Sequence, residues 1–180
     1  FLTGRCHYSW NCIGFHKDCS NCKALIINKN ISIKNHRFKT NYLNKMYSVK
    51  LIASSSWAIN QAKMSSLFKD FEKTLIYYHL DETLFKQRDK NLTRGILNIP
   101  TKKKVIFLGA NQVSDPRKGI DFAIKSLTLL YKGLSESERE KIIIVTAGNK
   151  NLSSLISFKC IHFGILSSDV LAELYSSSDI

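Results

Sequence analysis

The sequence contains no long apolar run. No stretch approaches the roughly 18 uninterrupted apolar residues that a membrane-spanning helix needs, and no basic-then-apolar leader with a small-residue cleavage site opens the chain. We therefore expect a cytoplasmic protein, or one peripheral to the inner face of the plasma membrane. The chain begins at Phe1 and breaks off at Ile180 with no stop signal around it. We accordingly expect an interior fragment of a longer protein.

Acidic residues are scarce. Asp and Glu number 14 against 27 Lys and Arg, for a formal net charge of +13. The positive electrostatic field that this charge produces favours anionic partners, which include nucleic acid, lipid head groups and diphosphate substrates. A compositional bias spread over solvated faces explains the same charge. With 180 residues and 44% apolar side chains, the chain can bury one sizeable core or two modest ones, which excludes a disordered protein.

The first half of the sequence predicts one βαβ unit. After a loop-rich segment over residues 1–30, a basic amphipathic helix is predicted over residues 31–47 from the helical spacing of Phe38, Tyr42, Leu43, Met46 and Tyr47. We expect its apolar stripe to pack on the sheet of the fold, although such a helix can also lie on anionic lipid. Strands are predicted at 49–53 and 74–78, with a serine-capped helix between them. Trp57, Met64 and Leu67 mark the expected packed face of this helix. The order of strand, helix and strand implies parallel strands.

The second half predicts another α/β pattern. A polar stretch over residues 81–101, with a short helix at 91–97, precedes strands at 105–108, 142–146 and 160–163 and helices at 119–131 and 169–175. We place the domain boundary between residues 84 and 85. The sequence therefore predicts two Rossmann-like domains, 1–84 and 85–180, both incomplete in this chain.

The loop after the strand at 105–108 favours phosphate binding. Gly109 directly follows the strand, and Arg117 and Lys118 stand just before a predicted helix that begins at Gly119. Glycine allows a ligand to approach the backbone, while a helix N-terminus with cationic side chains attracts phosphate. Ligands also bind at the carboxyl ends of strands in open α/β sheets. A structural βα turn without a ligand explains the same residues equally well.

This loop and the strand before it resemble a known protein family. Residues 105–110 and 115–119 are similar to the opening strand, donor loop and first helix of the C-terminal domain in group 1 glycosyltransferases of the GT-B type. The branch that builds colanic acid, O-antigen (lipopolysaccharide) and other surface polysaccharides is the nearest in pattern. The resemblance implies that Lys118 contacts the donor diphosphate, with Arg117 as a weaker neighbour and Gly109 beside it. Ala110 stands where many family members have Arg.

Four further stretches resemble the same family. They are residues 1–9, 49–57, 76–85 and 163–179. Within 76–85, Asp81 and Phe85 match the family pattern but the three residues 77–79 do not. The resemblance implies transfer of a sugar, with retention, from a nucleotide-diphosphate donor to a saccharide or lipid-linked saccharide acceptor, and no cofactor for catalysis. The family's catalytic His and its Glu-x7-Glu motif fall outside the chain. We therefore name no catalytic residue and expect the fragment alone to be inactive.

Four of the five cysteines lie in the first 22 residues as Cys6-x5-Cys12-x6-Cys19-x2-Cys22. Four soft ligands suit tetrahedral zinc, and a Cys-x2-Cys pair is a usual half-site. Because a reducing cytosol disfavours disulfides, the alternatives are a structural zinc site and unligated thiols. His7 and His16 are substitute ligands.

Three other functions compete with glycosyl transfer. A basic zinc module that binds nucleic acid fits the cysteines and the charge, but it needs Arg and Lys on one face. Here they are scattered over both halves, so we expect no nucleic-acid partner. A dinucleotide-dependent oxidoreductase is disfavoured because no Gly-x-Gly-x-x-Gly follows a predicted strand. A non-catalytic scaffold descended from the enzyme is left open.

Overall fold

The computed structural model describes residues 2–6, 9–28 and 30–180. The chain divides into two compact units, Phe1–His79 and Leu80–Ile180, which we call the first and the second unit. Each is a mixed α/β structure with a parallel sheet, and this is compatible with a Rossmann-like fold. No helix in the described ranges is long and apolar enough to cross a membrane.

The first unit contains the predicted βαβ arrangement. Its regular elements are α1 (Ile31–Leu43), β1 (Lys50–Ala53), α2 (Ser56–Met64) and β2 (Glu72–Leu75). β1 and β2 pair in parallel, as expected for strands joined through a helix. Ser55 caps α2, since its side-chain oxygen accepts the N–H of Ala58 at 3.2 Å. A small core of Leu51, Ala62, Leu67 and Phe68 lies between α2 and the strands.

The predicted orientation of the first helix is wrong for most of its apolar stripe, although Leu43 packs against the core of this unit. α1 ends at Leu43, and Phe38 and Tyr42 are 70% and 60% exposed. The buried side chains of α1 are Ser32 and His36. Hydrogen bonds to the preceding loop and to the segment after α2 hold this polar face inward, so polar contacts rather than an apolar stripe decide which side of α1 is covered.

Two other predictions for the first unit need correction. The second strand lies at Glu72–Leu75 rather than at 74–78, and Ile76, Tyr77 and Tyr78 are exposed. On α2, Trp57 and Met64 were expected on the packed face, yet both are largely exposed. In the described part of this unit the sheet has two strands, and these side chains stay exposed beside it.

The second unit is a three-layer α/β structure. Its elements are α3 (Lys90–Ile96), β3 (Lys104–Ala110), α4 (Ile120–Gly133), α5 (Glu136–Arg139), β4 (Ile142–Gly148), β5 (Cys160–His162) and α6 (Ser168–Ser177). The strands form a parallel sheet in the order β3-β4-β5. Every strand and helix predicted for this half is present within a few residues of its expected position.

Both faces of this sheet are covered, because successive strand residues point to opposite sides. Ile144 packs on one face with Ile120 and Leu127 of α4. Ile143 packs on the other face with Leu174 of α6. Parallel sheets with helices on both faces are the doubly wound arrangement.

The chain returns to the free edge of β3 after α6. The N–H of Asp179 donates to the carbonyl of Val105 at 2.9 Å, and the N–H of Phe107 donates to the carbonyl of Ile180 at 2.7 Å. Because β4 lies on the opposite edge of β3, the direction of winding reverses at β3. Ligands of doubly wound sheets bind beyond the carboxyl ends of strands at such a reversal.

Candidate functional site

A cavity of about 340 Å³ lies at the carboxyl ends of the strands in the second unit. Its backbone wall is formed by the last residues of β3 and β4 and by Gly164 just after β5. Leu171 and Tyr175 of α6 supply an apolar side. The volume falls within the range of about 300 to 1,000 Å³ that is usual for small-molecule sites. The position at the strand ends agrees with the location expected from the fold.

Gly148 determines how closely two strand ends approach. Its φ of 145° lies in the region that favours glycine, and a Cβ built there would collide with the carbonyl oxygen of Ala110 on the neighbouring strand. Its N–H donates to the carbonyl of Gly164 at 2.8 Å. Gly148, at the end of β4, therefore contacts the end of β3 and the segment after β5, and all three form the cavity wall.

Gly109 has a packing role that the sequence did not predict. It lies inside β3, and the space that its missing side chain leaves is occupied by the ring of Phe107. That ring packs edge-on against Tyr175, with 5.5 Å between ring centroids. Gly109 also lines the cavity, and its expected place beside a diphosphate stays a prediction.

A short turn carries Lys118 to the cavity. Residues Pro116–Lys118 form a single 3₁₀ turn, in which the N–H of Lys118 donates to the carbonyl of Asp115 at 3.0 Å. Gly119 then adopts a φ of 68° and starts α4 at Ile120. Lys118 is exposed, and of the residues that line this cavity in the described part of the chain it alone carries a charge. The site therefore offers one ammonium group to an anion.

Arg117 lies beside the cavity and does not line it. Its Nε donates to both carboxylate oxygens of Asp115, at 2.8 and 2.9 Å. The side-chain hydrogen bond from Arg117 is the main reason why the pKa of Asp115 falls to about 2. The guanidinium is thus engaged by a carboxylate, and its expected contact with a diphosphate stays a prediction.

A second cavity of about 810 Å³ adjoins the first, since Leu171 and Tyr175 line both. Basic side chains at its wall include Lys86 and Lys90, while Arg88 is paired with Glu173 of α6. Sequence reasoning missed this cavity because its two walls are more than 80 residues apart along the chain.

The four N-terminal cysteines meet in the first unit. Cys6, Cys12, Cys19 and Cys22 all line one small cavity, and none is in a disulfide. Burial, ahead of all other causes, raises the pKa of Cys19. In the described ranges no group of three or more His, Cys, Asp or Glu side chains is arranged to hold a metal ion. Of the substitute ligands, His7 lies outside the described residues.

In comparisons with known proteins, no protein-family model and no curated protein sequence matches the chain. The geometry brings Lys118 and Gly109 to one cavity and leaves Arg117 beside it.

Proposed function

We propose that the chain is part of a group 1 glycosyltransferase of the GT-B type that acts in surface-polysaccharide biosynthesis. In this proposal the second unit binds a nucleotide-diphosphate sugar, and the first unit belongs to the domain that receives a saccharide or lipid-linked saccharide acceptor. The observation that carries the proposal is the position of Lys118, whose charge lines a glycine-walled cavity at the ends of three parallel strands.

The chemistry of the cavity suits a diphosphate. An ammonium group attracts phosphate as a point charge, and the apolar side formed by Leu171 and Tyr175 suits a sugar or a base rather than a second charge. In glycosyl transfer from such a donor, negative charge develops on the departing diphosphate. A cation already positioned there stabilises the transition state more than the ground state. We assign this electrostatic role to Lys118 and no acid or base role to any residue of the chain.

Nucleotide binding tests the proposal directly. We expect uridine or guanosine diphosphate to bind saturably in calorimetry, and Lys118→Ala to weaken that binding about 10- to 100-fold, because a hydrogen bond to a charged group is lost. Lys132→Ala is the matched control. Lys132 is exposed in the last turn of α4, at the opposite end of that helix from the cavity, and its removal should leave the dissociation constant unchanged.

Two outcomes would contradict the proposal. Equal weakening by Lys118→Ala and Lys132→Ala would mean that only the general positive field attracts the nucleotide. Absence of nucleotide binding together with tight, strongly salt-dependent binding of an oligonucleotide would favour the basic nucleic-acid module instead.

Peripheral membrane contact is part of the same proposal. Phe38 and Tyr42 are exposed one turn apart on α1 with their rings stacked, and exposed Arg37 and Lys34 lie on the same helix. Aromatic and basic side chains together favour an anionic lipid surface. We expect co-sedimentation with phosphatidylglycerol vesicles, weakened by Phe38→Ser with Tyr42→Ser; equal sedimentation with phosphatidylcholine vesicles would contradict this contact.

A further inference from the structure

The N-terminal loop gathers four thiols around a space of ionic size. Cys6, Cys12, Cys19 and Cys22 are spread over 17 residues, yet all four line a cavity of about 20 Å³. A space of that size accommodates about one water molecule or one ion. The residues 9–28 contain a single short 3₁₀ turn, Gly14–His16, as regular structure. The convergence of the thiols therefore comes from the tertiary path of the loop.

Backbone amides point at two of the sulfurs. The N–H of Gly4 donates to the Sγ of Cys19 at 3.1 Å, and the N–H of Gly14 lies 3.4 Å from the Sγ of Cys12. A neutral thiol is a weak hydrogen-bond acceptor, whereas a thiolate accepts strongly. Hydrogen bonds to ligand atoms are the usual outer shell of a metal site, because they orient the ligands and offset their charge. Both amides are therefore placed to serve as such outer-shell donors if the two sulfurs bind a metal ion.

The loop is held against the first unit at the same positions. The hydroxyl of Ser32 on α1 donates to the carbonyl of Cys19 at 2.8 Å, and Cys19 itself has a φ of 55°. A Cβ at Gly4 would collide with the carbonyl of Ser32, so only glycine fits there. The backbone that presents Cys19 is thus placed by contacts with α1 before any ion binds.

Apolar burial gives this loop little stability. Among the described residues before α1, Phe15 and Cys19 are the buried apolar side chains. Short segments without enough apolar core are commonly stabilised by a metal or by disulfides. These cysteines form no disulfide, and a metal ion bound by them would supply such a cross-link.

We propose that Cys6, Cys12, Cys19 and Cys22 bind one structural zinc ion. Because the described side chains are not arranged as a metal site, binding requires some of the thiols to rotate about their Cα–Cβ bonds. Each thiol loses its proton to water as a Zn–S bond forms, and no oxidant or reductant takes part. Four thiolates around a divalent ion leave a doubly negative cluster, which Arg5 at the cavity wall and the two amide N–H groups offset.

Four thiolates fill a tetrahedral zinc site and leave no open position, so the ion is structural rather than catalytic. The proposal is independent of nucleotide binding, because the cysteines belong to the first unit and Lys118 to the second. Failure of one proposal therefore leaves the other standing.

Elemental analysis of the protein purified under reducing conditions tests the zinc site. We expect about one zinc per chain, and replacement by Co²⁺ should produce thiolate-to-cobalt charge-transfer absorption with the d–d bands of a tetrahedral ion. Cys12→Ser should lower zinc affinity by at least about a hundredfold, because the binding free energy is shared among four thiolates. Cys12 is the exposed member of the four and therefore the variant whose folding is least at risk.

Cys160→Ser is the matched control, since Cys160 lies on β5 of the second unit and should leave zinc content unchanged. The proposal is overturned by folded, metal-free protein in which all five cysteines react as free thiols. It is equally overturned if non-reducing mass spectrometry finds disulfides among the four, or if Cys12→Ser retains zinc with wild-type affinity.

Discussion

Arg94 is the side chain whose loss should damage the second unit most clearly. Its side chain is 4% exposed and its guanidinium donates four hydrogen bonds. Nε reaches the carbonyl of Ser177 at 2.8 Å, and Nη1 reaches the carbonyls of Thr101 at 2.8 Å and Lys103 at 3.1 Å. Nη2 reaches the carboxylate of Asp179 at 2.8 Å. One buried cation therefore ties α3 to the loop before β3 and to the end of α6.

Arg94→Met keeps most of the aliphatic volume and removes every one of these donors. Three carbonyls lose a partner, and Asp179 keeps only Lys90 and the N–H of Val105. Removing one member of a buried, hydrogen-bonded ion pair costs about 3–5 kcal/mol. Because a domain is stable by only about 5–15 kcal/mol, we expect the second unit to lose a large part of its free energy of unfolding.

The assay must report on the second unit alone. Both tryptophans, Trp10 and Trp57, lie in the first unit, so tryptophan fluorescence does not follow the second. Native-state hydrogen exchange with mass spectrometry on peptides from β3 and β4 reads its opening free energy. Arg37→Met on α1 is the control, because Arg37 is exposed and should shift stability by less than about 0.5 kcal/mol.

A loss below about 1 kcal/mol in Arg94→Met would refute the reasoning, since that is the value of an ordinary exposed pair. A double-mutant cycle with Asp179→Asn separates the contributions. If the ion pair carries the effect, Arg94→Met should cost less in the Asp179→Asn background than in the wild type.

Two further predictions concern the second unit. Burial would raise the pKa of Asp179, but hydrogen bonds from a lysine, a backbone N–H and Arg94 outweigh it and hold that pKa well below its ordinary value. The contribution of Asp179 to the free energy of unfolding should therefore be fully present above about pH 3.9, the pKa of an aspartate in an unfolded chain, and should be lost as the pH falls below that value. Asp179→Asn should flatten this pH dependence in an acid titration followed by circular dichroism. Gly148→Ala should destabilise the unit by at least about 1–3 kcal/mol, through its positive φ and collision with Ala110, whereas Gly133→Ala, with open space around its Cβ, should not; equal urea midpoints for the two variants would contradict this.

Sequence periodicity was most informative where a sheet is covered on both sides. The second unit has continuous apolar strands and a helix with Ile120 and Leu127 on one stripe, and these patterns predicted its elements well. In the first unit, the pattern of polar and apolar residues predicted the wrong buried face for α1. Ser32 and His36 are buried because they form hydrogen bonds inside the fold, while Phe38 stays exposed. A polar side chain can be buried wherever it finds a partner, and the partner is invisible in a local pattern.

The sequence by itself determined the α/β class, the order of strands and helices, the place of Lys118 in the loop between a strand and a helix, and the cysteine spacing. These properties depend on neighbours a few residues apart, through which periodicity, capping and turn chemistry act. Only the tertiary structure decided that the chain returns to the free edge of β3, that Phe107 occupies the space beside Gly109, and that four cysteines share one cavity. Those outcomes depend on contacts between distant segments, whose geometry no local pattern encodes.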